Sequence, residues 1–394
     1  MTKNLAFEEG GEETGTDAHR KAVEGAEPKD FFRQKRTAAE IKEEILTRFF
    51  PLWAEEVLAG QAGAQEPAAI YTDLNAAAGA PAVQKILRNI YASIGSRHNL
   101  NAAFQSFWGD GNKPALAQLQ QTIQALPYYQ ELTQPPVFLH NAESKGTFDA
   151  ALQQELPTLA VLDPFSYRYV QETFLQALES KNVHLFLLFE GSKMKALAKK
   201  ASADDFAQRL FGAQWPAVQG FGARSASSHK KEEFLLGSLQ SAIRERGFRV
   251  LQFRFYLPGK DQPHQYLLFV SRSESACTKL KEILLDYSDL QEDGVPLMSV
   301  NQKPLRLLVP EYAQYLQYSL HKLPQELLEK AKAYNRLSLE KIYEKHNVET
   351  NYSKANYLAA LMKLKEQGKI LLLNPKTGQQ VHKLSVQCLI KFNP

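Results

Sequence analysis

Five short apolar runs punctuate the first half of the chain: Ala69–Thr72, Ala103–Trp108, Val137–His140, Leu159–Leu162 and Val183–Phe189. Each is too short for a helix, is bounded by turn residues, and lacks polar alternation. That is the signature of a strand buried on both faces of a parallel sheet. Between them lie stretches of helical period, Ala82–Ile94, Lys113–Ala125 and the one containing Phe174–Leu178. Before the first strand, Ile41, Ile45, Phe49 and Trp53 recur every fourth residue behind Thr37-Ala-Ala-Glu40, a capping-box sequence. Pro51 predicts a kink or a break in that helix. Beyond Val183–Phe189 the pattern gives a helix at Glu232–Glu245 and strands at Arg249–Tyr256 and Gln265–Ser271 joined by Pro258-Gly259-Lys260-Asp261. A further helix is expected at Cys277–Tyr287. The expected fold is α/β, a mostly parallel sheet closed by an antiparallel pair.

The character changes after Leu305–Val309. Helices are predicted at Gln325–Tyr334, Leu339–His346 and Lys354–Gln367, the last capped by Ser353 and stopped by Gly368. Strands follow at Lys369–Leu373, Val381–Leu384 and Cys388–Phe392, the first two joined by a turn carrying Lys376. Three helices, then strands around a loop, make a winged-helix pattern. The third helix would be the reading helix, and Tyr352, Ser353, Lys354 and Asn356 near its start, with Lys376 at the wing tip, are the candidate nucleic-acid contacts. Winged helices also serve as protein docking modules, and that reading stays open.

Charge sharpens the picture. The chain has 394 residues and a net charge of +4. Residues 321–394 carry 13 Lys/Arg against 6 acids, whereas residues 1–30 carry 4 against 8. A basic end domain suits a polyanion. Residues 1–29 are polar, acidic and poor in large apolar groups, so disorder is expected there. The expected domains are an α/β domain over 30–309 and a winged helix over 310–394. Two cysteines, Cys277 and Cys388, share no metal-ligand spacing, and no metal is expected. No apolar run is long enough for a membrane span and no secretory signal is visible, so a cytoplasmic location is expected.

Candidate chemistry gathers at the carboxyl ends of the strands, where open α/β sheets bind ligands. Leu159–Leu162 runs into Asp163-Pro164-Phe165-Ser166-Tyr167. This approximates the acid-proline-proline-aromatic motif of amino-methyltransferases, in which the acid accepts from the target amine and the aromatic stacks on the base. The first strand runs into Asp73-Leu-Asn75-Ala-Ala-Ala-Gly79, a small-residue turn of the kind that approaches S-adenosylmethionine. It also suits simple close packing of helix on strand. Asp110, after the second strand, is placed either to hold ribose hydroxyls or to make a turn. The two loops, 73–80 and 163–167, are expected side by side. A nuclease reading through Asp163, Glu190 and Lys193 fails, because Glu and Lys do not fall on one strand face. No P-loop, zinc-protease or nucleophile-elbow motif occurs.

Several segments together carry a family likeness: FFRQKRTAAEIKEEILTRFFPLWA at 31–54, IYTDLNAAAGA at 70–80, PTLAVLDPFSY at 157–167, RLFG at 209–212, FRVLQFRFYLPGKDQPHQYLLFVSRS at 248–273, KEILLDYSDLQEDGVP at 281–296 and SKANYLAALMKLKEQGKI at 353–370. With these the chain resembles the three-Cys-motif partner (TcmP) family, which is similar to class I methyltransferases and carries a winged-helix tail. The resemblance implies S-adenosylmethionine as a possible cofactor, with Asp73, Asn75, Gly79 and Asp110 around it and Asp163, Pro164, Phe165 and Tyr167 at the reacting end. It also implies a protein partner from the same operon and an antiphage or mobile-element setting. Asn75, Ala77 and Ala78 depart from the family's first turn, and Ser166 replaces a glycine. The expectation is therefore a nucleic-acid-binding recognition or scaffold subunit with degenerate catalysis. An active methyltransferase acting on DNA or RNA is the alternative.

Overall fold

The computed structural model describes residues 37–59, 67–200, 205–223, 228–256, 264–300, 317–385 and 387–393. The acidic 1–29 segment, the turn 258–261 and the 309/310 domain boundary lie outside them.

Eight strands form one sheet: β1 Ala69–Asp73, β2 Phe104–Trp108, β3 Val137–Phe138, β4 Thr158–Leu162, β5 Val183–Glu190, β6 Arg249–Phe255, β7 Gln265–Ser271 and β8 Ser299–Val300. Their spatial order is β3-β2-β1-β4-β5-β7-β6-β8. β1 to β5 pair in parallel, and β7 runs antiparallel to both β5 and β6. Strand order reverses between β1 and β4, which opens the ligand crevice of such sheets at their carboxyl ends. β1 and β4 are buried at every position, as continuous apolar runs require.

Alternate residues feed two cores. Tyr71, Leu159, Val161 and Phe186 face one layer of helices, among them Ala38–Ala59, Ala80–Ala92 and Glu274–Leu285. Ile70, Ala160, Leu162 and Leu187 face the other, which includes Arg168–Ala177 and Ser228–Glu245. The capping box forms: Thr37 Oγ1 accepts from Glu40 N at 3.2 Å, and Glu40 Oε2 accepts from Thr37 N at 2.7 Å. The expected break at Pro51 does not occur. Pro51 lies on the exposed side of one helix, while Phe49, Phe50, Trp53 and Ala54 are fully buried on the other. Each large side chain there contributes about 1.5–3 kcal/mol, enough to hold both halves against the sheet across the lost hydrogen bond.

The C-terminal module has helices Leu323–Glu329, Ala331–Tyr334, Leu339–His346 and Lys354–Glu366 beside a four-stranded sheet. The strands are β9 Leu337–Ser338, β10 Ile370–Leu373, β11 Gln380–Val381 and β12 Leu389–Phe392, in the order β11-β10-β12-β9. Gly368 ends the third long helix at φ +70°, with Lys369 N reaching back to Leu364 O at 2.9 Å. In the wing, Asn374 Oδ1 accepts from Lys376 N and Thr377 N, and Gly378 at φ +70° returns the chain.

The module is fastened to the sheet domain. Lys281, fully buried on Glu274–Leu285, donates to Asn347 O and Thr350 O, both at 2.8 Å. Burial pulls its pKa down to about 7. Tyr343 donates to Glu282, and Arg244 pairs with Glu349. Asn356 Nδ2 donates to Gly294 O at 3.1 Å, and Val295 enters the module's own core.

Candidate functional site

The turn after β1 and the loop after β4 meet at the switch point, and they interlock. Leu74 N donates to Val161 O at 2.9 Å. With its amide oriented by its partners, Asn75 accepts from Asp163 N at 2.7 Å and donates to Leu74 O at 3.1 Å. The Tyr167 hydroxyl lies 3.5 Å from Leu74 O. Its ring covers Gly111 so closely that a Cβ there would sit 2.9 Å away. Asp73, Asn75, Asp110, Asp163 and Tyr167 are thus brought together, with Pro164 and Phe165 in the same loop. Phe165 points into the core, edge-on to Phe189, and is not placed to stack on a base.

Every amide from 74 to 79 already has an acceptor inside the chain. Beyond Leu74, Asn75 N binds Asp73 Oδ1, Ala76 N binds Gly109 O, Ala77 N binds Asp110 Oδ2, Ala78 N binds Asn75 O and Gly79 N binds Ala76 O. Asp110 takes Asn112 N on its other oxygen at 2.8 Å. A turn that cradles an anionic ligand presents unpaired amides. This one presents none, and the carboxylate expected to meet ribose ties two loops instead. As folded, the carboxylate of an S-adenosylmethionine molecule would have to displace one of these amide bonds, while each Asp110 oxygen, holding one amide, keeps a lone pair. Burial pushes the Asp73 carboxyl up to about 7, the Asn75 amide opposing and the Asp110 charge adding to the shift.

Asp163 is likewise engaged. Oδ1 accepts from Phe165 N at 3.0 Å, and Oδ2 accepts from Lys193 Nζ at 2.7 Å. A target amine would have to displace that lysine. Around it stand groups that sequence reasoning missed. Lys42, on the first helix, bends to Gln265, and burial lowers its pKa to about 8. Glu232 is buried and accepts from Tyr266 Oη at 2.5 Å, His264 Nδ1 at 2.8 Å and Lys195 Nζ at 2.9 Å. Burial alone would raise its pKa; the three hydrogen bonds outweigh burial and hold it below the usual range. A Cβ on Gly191 would lie 2.6 Å from this carboxyl, so only glycine allows the approach. Two lysines of the helix that follows β5 are thus used for internal ion pairs, Lys193 to Asp163 and Lys195 to Glu232. Among the described residues, no group of three or more His, Cys, Asp or Glu is placed to hold a metal.

In the winged module the five named contacts separate. Ser353 and Asn356 form a capping box, with Ser353 N donating to Asn356 Oδ1 at 2.8 Å. Asn356 is buried by that box and by Gly294. Tyr352 is buried too, donating to Glu326 at 2.9 Å. Neither is on a reading face. Lys354 is exposed beside Glu340 at 3.2 Å, and Lys376 is exposed at the wing tip. The outward face of the third helix carries Ala355, Leu358, Ala359, Met362 and Lys363, with Lys369 just beyond.

Residues 300–377 match the model of the GMT-like wHTH domain. No curated protein matches the chain. Among the described residues no helix is long and apolar enough to cross a membrane. What the comparison establishes is a winged-helix domain of GMT-like type behind a mixed α/β sheet, an arrangement consistent with nucleic-acid binding.

Proposed function

We propose that the protein is a nucleic-acid-binding subunit of the three-Cys-motif partner kind, in which a methyltransferase-like body recognises or scaffolds without transferring a methyl group. The nucleic-acid half of this reading is supported by the winged-helix match and by exposed lysines at 354 and 363 on the third helix, 369 just beyond it and 376 in the wing. The methyltransferase kinship is supported by the strand order with its reversed seventh strand. The observation that carries the loss of catalysis is the turn 74–79, whose amides are all internally bonded. The antiphage or mobile-element setting and the operon partner follow the family resemblance alone; copurification from the native operon tests them.

Titration calorimetry with S-adenosylmethionine tests the catalytic half. No heat at roughly 100 μM protein is expected. Micromolar binding abolished by Asp110→Ala would instead support the active-methyltransferase reading. That reading has one observation in its favour, the convergence of Asp73, Asp110, Asp163 and Tyr167 at one switch point. Duplex and single-stranded DNA and RNA, compared by anisotropy across a salt series, test the other half. Absence of salt-dependent binding to all four would overturn it.

A further inference from the structure

The third helix of the winged module has an unusual outer face. Ala355, Leu358, Ala359 and Met362 follow the i, i+3, i+4, i+7 spacing of a single stripe, and all four are exposed. Leu358 is 42% and Met362 48% exposed. Four large apolar side chains are exposed among the described residues, and these two sit one turn apart on one face. Groove floors reward hydrogen-bonding side chains; an apolar stripe can meet little there beyond thymine methyls. Exposed Lys354, Lys363 and Lys369 rim the stripe. An apolar strip with a basic rim selects an apolar anchor followed by acids.

One stretch of this chain has that composition. Leu5-Ala6-Phe7 is followed by Glu8, Glu9, Glu12, Glu13 and Asp17, with no Lys or Arg between 5 and 17. Residues 18–36 separate it from Thr37, where the described chain begins. Nineteen residues span up to about 60 Å, nearly three times the radius of gyration of about 21 Å expected for a compact chain of this length.

We propose that residues 5–17 dock on the third helix of the winged module within the same chain, Leu5 and Phe7 covering Leu358 and Met362 while the acids meet the lysine rim. The contact covers the face that the nucleic-acid reading assigns to the polymer. Nucleic acid and the acidic segment then compete, and this regulatory consequence rests on that reading, whereas the docking itself does not. The attraction has a screened electrostatic part, so it weakens as salt rises.

The test uses the full chain with a photo-crosslinking benzoylphenylalanine in place of Phe7. Irradiation should give cross-links within one chain to the peptide containing residues 355–362. Leu358→Glu with Met362→Glu, both on exposed positions, should reduce their yield at least fivefold, as should 0.5 M salt. Cross-links elsewhere, cross-linked dimers (a second copy as occupant), or a yield indifferent to the double substitution would each overturn the docking. Competition is read separately. Glu8→Gln, Glu9→Gln, Glu12→Gln and Glu13→Gln together should tighten duplex binding about tenfold. Unchanged affinity in a protein that does bind duplex overturns the masking. Absence of binding to duplex and single-stranded DNA and RNA alike in both proteins refutes the nucleic-acid reading and the masking with it, while the cross-links still decide the docking.

Discussion

The turn after β1 and the third helix of the winged module are the two places where a methyltransferase-like, nucleic-acid-reading protein would meet its ligands, and they are built in opposite ways. In the turn, six consecutive amides and both oxygens of Asp110 are satisfied by the chain itself. On the helix, no described residue covers the face of Ala355, Leu358, Ala359 and Met362 beside lysines. Internally bonded polar groups have little to offer a newcomer, because each new bond must replace an existing one. Exposed apolar and cationic surface has both desolvation and counterion release still available. The lesson is that a switch point in a sheet does not by itself mark a working surface, and the polar atoms still open to a partner bear on the question as well.

The sharpest way to break this contrast is charge reversal on the module. Lys363→Glu with Lys376→Glu should weaken duplex binding on the order of 10–100-fold near 100 mM salt and lower the salt slope by about one unit per lost phosphate contact. Asp163→Asn should leave both unchanged. Equal losses from the two changes, measured by anisotropy, would place the working surface at the sheet edge. Next in size is Asp110→Ala, which leaves Ala77 N and Asn112 N unpaired. It should cost about 1–3 kcal/mol in urea unfolding; no cost would mean the turn is not locked.

A pH series sharpens the comparison further. The Asp73 carboxyl has a folded pKa of about 7, above its unfolded value, so between about pH 4 and 7 the folded state holds the extra proton. Stability should fall as pH rises through that window and then level off. Asp73→Asn keeps an acceptor for Asn75 N, flattens the fall, and should raise stability at pH 8 by about 1–3 kcal/mol. An unchanged urea midpoint against pH would remove burial as the cause. Smallest is Tyr352→Phe, expected to cost about 1 kcal/mol through the lost bond to Glu326, with no change in which sequences bind. Altered sequence preference would restore Tyr352 to the reading face.

Much of this was legible in advance. Periodicity and the Thr37/Glu40 pair located the first helix, continuous apolar runs located β1 to β5, and Gly368 marked the end of the third helix. Local rules carried those features. The segment Ala142–Leu152 was not legible as a helix, because Phe148 is its one buried residue and no period can show. β8 and β9 have two residues each and exist through their neighbours. The burial of Asn356 was missed for a related reason. An asparagine at the third helical position reads as surface, and its second partner, Gly294, lies 62 residues away. Lys42 reads as part of a charged solvent face, and its burial, like the roles of Glu232 and His264, is hidden because the partners belong to other elements.

Lys281 has a mechanical consequence. Its ammonium grips two carbonyls at the end of Leu339–His346, and Tyr343, Asn347 and Asn356 add bonds around it. A hinge between reader and body would need that buried cation to surrender both partners in a dry seam. Any load borne by the winged module would reach the large sheet through this seam of hydrogen bonds.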